Sequence, residues 1–120
     1  SPGLTIRRLG PGDLLLLLAA EGVFDDAVQP AMAQCFLAHP DHHLLAAIIA
    51  GAIVGFVSAV TYLHPDKPVE CWINEVGVAD AFQRRGIGRR LVGLARCAAS
   101  TCGANLAPSI LKRAVACRAR

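Results

Sequence analysis

Residues 83–89, Gln83-Arg84-Arg85-Gly86-Ile87-Gly88-Arg89, combine features that suit them to hold an anion. Gly86 and Gly88 carry no Cβ, so a bulky ligand can come close to the main chain there. Arg84, Arg85 and Arg89 add charge-assisted donors of the kind that grip phosphate oxygens. The chemistry is binding rather than bond-making, because the run holds neither a nucleophile nor a general base. It is not a Walker A loop, which needs Lys followed by Ser or Thr, and it lacks the glycine spacing of GxGxxG.

Such a turn works only if a strand delivers it and a helix begins on it. Upstream, Glu70 to Ala79 alternates with enough β-branched residues to predict a strand. Downstream, Ile87, Leu91, Leu94 and Ala95 recur at helical spacing, Ala98 and Ala99 continue the face, and Gly103 offers a C-cap. The first N–H groups of that helix have no intrahelical partner and stand at the positive end of its dipole, where phosphate binds.

The rest of the chain supplies the elements behind this unit. Thr5 to Leu9 predicts a short first strand, broken by "GPGD", with Asp13 as an N-cap for a helix from Leu14 to about Gly22. Pro30 suits the first turn of a second helix that ends before Pro40. His43 to Ala50 and Ile53 to Tyr62 predict a hairpin about a tight turn at Gly51 and Ala52, and the prolines of "LHPDKP" mark a loop before the fourth strand. Beyond Gly103 the sequence shows no strand, Pro108 interrupts it, and a further helix would start near Ser109.

Composition narrows the function. A chain of 120 residues with 54% hydrophobic and 18% charged side chains fits one folded domain, set here at residues 1–103 with a basic, divergent tail at 104–120. The apolar runs at 14–20 and 44–49 are too short to span a bilayer, and no signal peptide is evident, so a cytoplasmic protein without membrane contact is expected. Five cysteines without CxxC pairing signal free thiols rather than a disulfide framework or a zinc site. "HPDHH" at 39–43 contains ligand-type residues, but neighbours in an extended segment point apart, so no metal is expected. The net charge is only +3, and its basic clusters suit a local anion site better than a nucleic-acid surface.

The run "VGVADAFQRRGIG", residues 76–88, resembles motif A of the GNAT acetyltransferases, Q/R-x-x-G-x-G/A at the start of the helix after strand four. Gln83, Gly86 and Gly88 match its fixed positions. The resemblance covers about residues 4 to 100. It implies an α/β (α+β) fold, a mixed and mostly antiparallel sheet flanked by helices in the order β α α β β β α. It also implies acetyl-CoA as cosubstrate, with its pyrophosphate on Gln83, Arg84, Arg85, Gly86, Ile87, Gly88 and Arg89. Pantetheine and acetyl would lie along Val76, Gly77 and Val78. "FDDAVQP", "VGFVSAV", "HPDKP" and "INEVGV" look most like the type I aminoglycoside 3-N-acetyltransferases, which implies a small-molecule amine as acceptor.

Acyl transfer to an amine needs that amine neutral, so a base must take or relay its proton. Glu75, just before the strand segment that should meet the acetyl group, stands where the aminoglycoside enzymes have an acid, and is the candidate catalytic base. Its alternative is a strand carboxylate paired with an arginine or solvated at the cleft. Asp25, Asp26 and Glu70, with Asp41 and Asp66, either steer a cationic acceptor or are ordinary loop charges. Tyr62 and Trp72 either line the acceptor pocket or pack structurally.

The chain departs from the family after the motif A helix. The family's later strands and the tyrosine that often serves as general acid find no match, as a shortened or frame-shifted gene would produce. Two consequences are expected: a strand-four edge covered by homodimer formation, and an alternative function as a fragment that binds CoA or self-associates without turnover.

Overall fold

The computed structural model of the chain describes residues 3–101 and 105–106. The elements run β1 (Thr5–Arg8), α1 (Leu14–Leu18), α2 (Pro30–Ala38), β2 (His42–Ile49), β3 (Ala52–Tyr62), β4 (Glu70–Val78), α3 (Ile87–Thr101) and β5 (Asn105–Leu106). Short 3-10 turns at Pro11–Asp13 and Asp80–Phe82 precede α1 and α3. The sheet order is β1-β2-β3-β4-β5, antiparallel through β4 and parallel at β5. This is the mixed, mostly antiparallel sheet and element order that the sequence predicts. Among the described residues no helix is long and apolar enough to cross a membrane.

β3 is the central strand and shows why a near-continuous apolar run was needed. Residues Ile53 to Ala59 are buried, because helices cover both faces. On one face Val57, Ile73, Val76 and Val78 meet Ile87, Leu91, Ala95 and Ala99 of α3. On the other, Leu44, Ala46 and Phe56 meet Leu17, Val23, Ala33 and Leu37. Leu91 is fully buried, so Leu91→Ala would cost about 3 kcal/mol in lost transfer energy and cavity. The buried stripe of α3 follows i, i+4 steps, which leaves Leu94 43% exposed and Ala98 exposed rather than on the core face.

Several boundaries differ from the sequence reading for visible reasons. α1 stops at Leu18 rather than near Gly22, since Gly22 takes φ +67° and turns the chain so that Val23, 1% exposed, lies on the sheet. Asp13 stands at the N-cap position of α1 without capping it. Its carboxylate instead accepts from the Gly10 N–H at 2.8 Å and pairs with Arg7 at 2.8 Å, which holds it below the usual carboxylate range. The hairpin turns at Ala50 and Gly51, one residue early, with φ of 51° and 77° at its two central residues. Both being positive makes it the mirror-type turn that matches strand twist.

β5 corrects the expectation that the tail holds no strand. Asn105 and Leu106 pair with Glu70 and Cys71, a contact too short for any alternation to announce. It covers only the first two residues of β4, and from Trp72 to Val78 that edge has no strand partner among the described residues. Gly103, the helix expected near Ser109 and the bulk of the tail lie outside the described residues.

Candidate functional site

The turn after β4 is built by its own main chain. Ala79 donates to the Val54 carbonyl at 2.8 Å and ties the strand end to β3, and Phe82 donates back to Ala79 at 2.8 Å. The Gln83 side chain then staples the turn, donating to the Val78 carbonyl at 3.0 Å and to Asp80 Oδ1 at 3.3 Å. Arg84 and Gly86 both sit in the left-handed region, at φ 66° and 79°. Such alternation folds successive N–H groups into one concavity, an arrangement that suits an anion.

α3 begins on that concavity. Arg90 donates to the Gly86 carbonyl at 3.0 Å, which makes Gly86 the helix cap and leaves the N–H groups of Ile87, Gly88 and Arg89 without i−4 partners. A hollow of about 320 Å³ opens here, lined by Val78, Gln83, Arg84, Gly86, Ile87 and Gly88. Arg84, Arg85 and Arg89 are exposed around it, and the Arg85 guanidinium carbon lies 5.1 Å from the Phe82 ring centroid, a cation–π contact that holds it nearby. A Cβ on Gly86 would meet nothing within 4 Å, so its side is open to a ligand.

Val76, Gly77 and Val78 meet different neighbours. The valine side chains are buried under α3, close enough that a Cβ on Gly88 would stand 3.7 Å from Val78 Cγ2 and 3.8 Å from Val76 Cγ1. Gly77 faces the other way, where a Cβ would come within 2.6 Å of both Phe56 Cε1 and the Val23 carbonyl. No side chain of the three is available to a ligand; what they offer is the main chain along the open edge of β4.

Glu75 lies on the face opposite α3. Its partner across the ladder is Ser58, and the next pair is Ala59 with Ile73, so Asn74 is the extra residue of a β-bulge. The bulge turns Asn74 and Glu75 into one cleft of about 640 Å³, together with Asp25, Asp26, Phe24 and Ser58. Phe24 stacks on Phe56 at 4.2 Å between ring centroids and fixes the wall that carries the two aspartates. Glu75 is half-buried and makes no ion pair or hydrogen bond among the described residues, so the paired alternative does not apply to it.

The five acceptor-site candidates therefore divide. Asp25 and Asp26 join Glu75. Tyr62, Glu70 and Trp72 gather at the far end of the β3–β4 hairpin, where the Tyr62 and Trp72 rings touch at 5.7 Å and Glu70 bonds His64 Nε2 at 2.6 Å. Tyr62 lines an adjoining hollow that shares Phe36, His42, Ser58 and Asn74 with the cleft, so it stands at the end of one longer groove. Asp41 lines that hollow too, whereas Asp66 pairs with Lys67 at 3.3 Å. In "HPDHH", His42 meets the His39 and Phe36 rings while His43 bonds Thr61 Oγ1 at 2.6 Å. Cys35 is an exposed free thiol.

Sequence reasoning missed Ser58 and Asn74. Two polar residues in succession, Asn74-Glu75, inside an otherwise alternating strand were the available sign of the bulge. Ser58 gave none, being one small polar residue in an apolar run.

Residues 14–110 match the model of the acetyltransferase (GNAT) family. The N-alpha-acetyltransferase RimI of Mycobacterium tuberculosis is 39% identical over 70 residues, which are 58% of this chain and 44% of that protein. The chain thus spans less than half the length of the curated relative it matches. An aminoglycoside acetyltransferase from an uncultured soil metagenomic sample, solved with sisomicin, superposes with a TM-score of 0.73 at 20% identity, covering 87% of this chain and 74% of that one. The aminoglycoside N-acetyltransferase AAC(6')-Iy, solved with the bisubstrate analogue CoA-S-monomethyl-acetylneamine, gives 0.70 at 17% identity, covering 87% and 77%. At these identities the structural matches speak for the fold.

Proposed function

The chain belongs to the GNAT acetyltransferase family, and from that membership we propose that it transfers an acetyl group from acetyl-CoA to a primary amine of a small molecule. The observation that carries the reading is the placement of two unlike sites on one strand. β4 ends in an anion-holding turn and carries, three residues before its end, a half-buried carboxylate in an acidic cleft. Val76 to Val78 separate the two by about 10 Å of extended main chain.

The turn fits a pyrophosphate. Left-handed Arg84 and Gly86 shape a concavity, the first N–H groups of α3 converge on it, and exposed arginines surround it. The open edge of β4 offers unpaired main-chain groups to the amides of a pantetheine arm, as an added strand would be bound. Acetyl-CoA supplies an activated acyl group as a thioester.

On the acceptor side, Asp25 and Asp26 attract a cationic amine to the mouth of the cleft. Glu75, directly or through a water, takes a proton from the ammonium group and leaves the nitrogen lone pair free. That nitrogen bonds to the thioester carbonyl carbon, the C–S bond breaks, and the second proton shed by the nitrogen as it becomes an amide goes to the departing thiolate, giving free CoA thiol. Aminoglycosides are one acceptor class that fits, since the cleft is acidic and the two structural neighbours described above are aminoglycoside enzymes.

Release of free thiol from acetyl-CoA, followed across a panel of aminoglycosides, polyamines and amino-terminal alanyl peptides, tests the proposal. Amine-dependent release from the wild type and its loss in Glu75→Gln are expected. Saturable CoA binding with no release for any amine would replace this reading with the non-catalytic one.

A further inference from the structure

We propose that the Ser58 hydroxyl is an acceptor-binding group, held bare at the floor of the Glu75 cleft to hydrogen-bond the incoming amine. The inference rests on the acetyltransferase reading above and goes beyond it by naming a residue and its partner.

Ser58 is the one polar residue among the buried set of the described chain, at 7% exposure. Its Oγ has no hydrogen-bond partner among the described residues. A buried hydroxyl without a partner has given up its bonds to water for nothing, which is costly. Native chains satisfy such groups as a rule, and those left bare call for an explanation.

The surroundings supply one. Ser58 stands directly across the ladder from Glu75, where side chains on one face come within about 5 Å of each other. Ser58 lines the cleft that holds Asp25, Asp26 and Glu75, and also the adjoining hollow that reaches Tyr62, with its Oγ just beneath their shared floor. The bulge at Asn74 begins immediately beside it and adds an amide to the same floor. A group at the junction of two hollows, next to the carboxylate that takes the proton, is placed to fix the nitrogen rather than to support the sheet. A hydroxyl suits that task because it accepts an N–H with one lone pair while its own proton turns to a second partner.

This assignment predicts opposite signs for stability and binding in one variant. Ser58→Ala removes the unsatisfied hydroxyl, so the unliganded protein should melt about 2–5 °C higher. The same change should weaken amine binding about tenfold, the scale of one hydrogen bond to a charged or polar group lost from a dry site. Ser58→Thr keeps the hydroxyl and should stay within about twofold of the wild type.

The experiment is calorimetric titration of sisomicin and of L-alaninamide into wild type, Ser58→Ala and Ser58→Thr, beside thermal melts and an acetyl-CoA titration of each. A raised melting temperature, weakened amine binding in the alanine variant alone, and equal acetyl-CoA affinity in all three support the proposal. Unchanged amine affinity in Ser58→Ala, a lowered melting temperature, or a wild type that binds neither amine overturns it. The acetyltransferase reading fails on a different measurement, thiol release, which can be absent while amine binding persists or present with an amine that ignores Ser58.

Discussion

The turn after β4 and the cleft beside Glu75 share a strand but are built in opposite ways. The turn is one continuous segment, Gln83 to Arg89, and what it presents are main-chain N–H donors shaped by left-handed Arg84 and Gly86. The cleft is gathered from segments far apart in sequence, around Asp25, Ser58 and Asn74, and what it presents are side chains. Changes that add atoms should therefore damage the turn, and changes that remove single polar atoms should damage the cleft.

The largest expected effect falls on the cleft. Glu75→Gln should lower kcat about 10³-fold, within the range for loss of a general base, while the calorimetric affinity for acetyl-CoA stays the same. A variant that lost CoA binding as well would show that the two sites are not separable. Next comes the point where the two regions meet. Gly77→Ala puts a Cβ within 2.6 Å of the Val23 carbonyl and of Phe56 Cε1, and main chain cannot move aside cheaply. Urea denaturation should show a loss of about 2–3 kcal/mol.

Smaller effects sharpen the same contrast. If the exposed carboxylates of Asp25 and Asp26 attract the acceptor as proposed, Asp25→Asn with Asp26→Asn should raise the KM for a polycationic amine about tenfold and leave kcat within about twofold. The increase should shrink in high salt, which screens exposed charge. Ala50→Asn, which makes the turn Asn-Gly at two positive φ values, should stabilise by about 0.5 kcal/mol with no effect on either ligand.

The smallest effect is set by pH. Burial pushes His43 below its ordinary 6.5, and Arg8 adds in the same direction, so the folded chain prefers the neutral ring. The unfolded chain takes up a proton near the ordinary value, which means that stability falls as the pH drops below about 6.5 toward the lower folded pKa. Thermal melts between pH 7.5 and 5 should show the decline, and His43→Gln should flatten it.

What could be read from the sequence follows the same division. The turn was legible because every feature it needs is local: two glycines, three arginines, a strand before and a helix after. The sheet and α3 were legible because apolar periodicity reports which face is buried. α1 was read too long because the burial of Val23 against Gly77 is a tertiary contact that Gly22 only permits. Tyr62 and Trp72 carry chemistry suited to an acceptor pocket, and only the register of β3 on β4 shows that both lie toward the far end of the hairpin from Glu75, with Tyr62 alone lining the adjoining hollow. Ser58 was invisible, since its importance lies in what it fails to bond.

Whether the turn holds a pyrophosphate through its main chain is tested most directly by a pair of substitutions at Gly86. Asn and Asp both tolerate the left-handed conformation of Gly86, and a Cβ there meets nothing within 4 Å, so Gly86→Asn and Gly86→Asp differ in charge alone. Calorimetric titration of acetyl-CoA should give saturable binding to the wild type, weaker binding to the asparagine variant and none to the aspartate variant, with all three folded. Equal affinity in the asparagine and aspartate variants, or no binding to a folded wild type, would contradict the account.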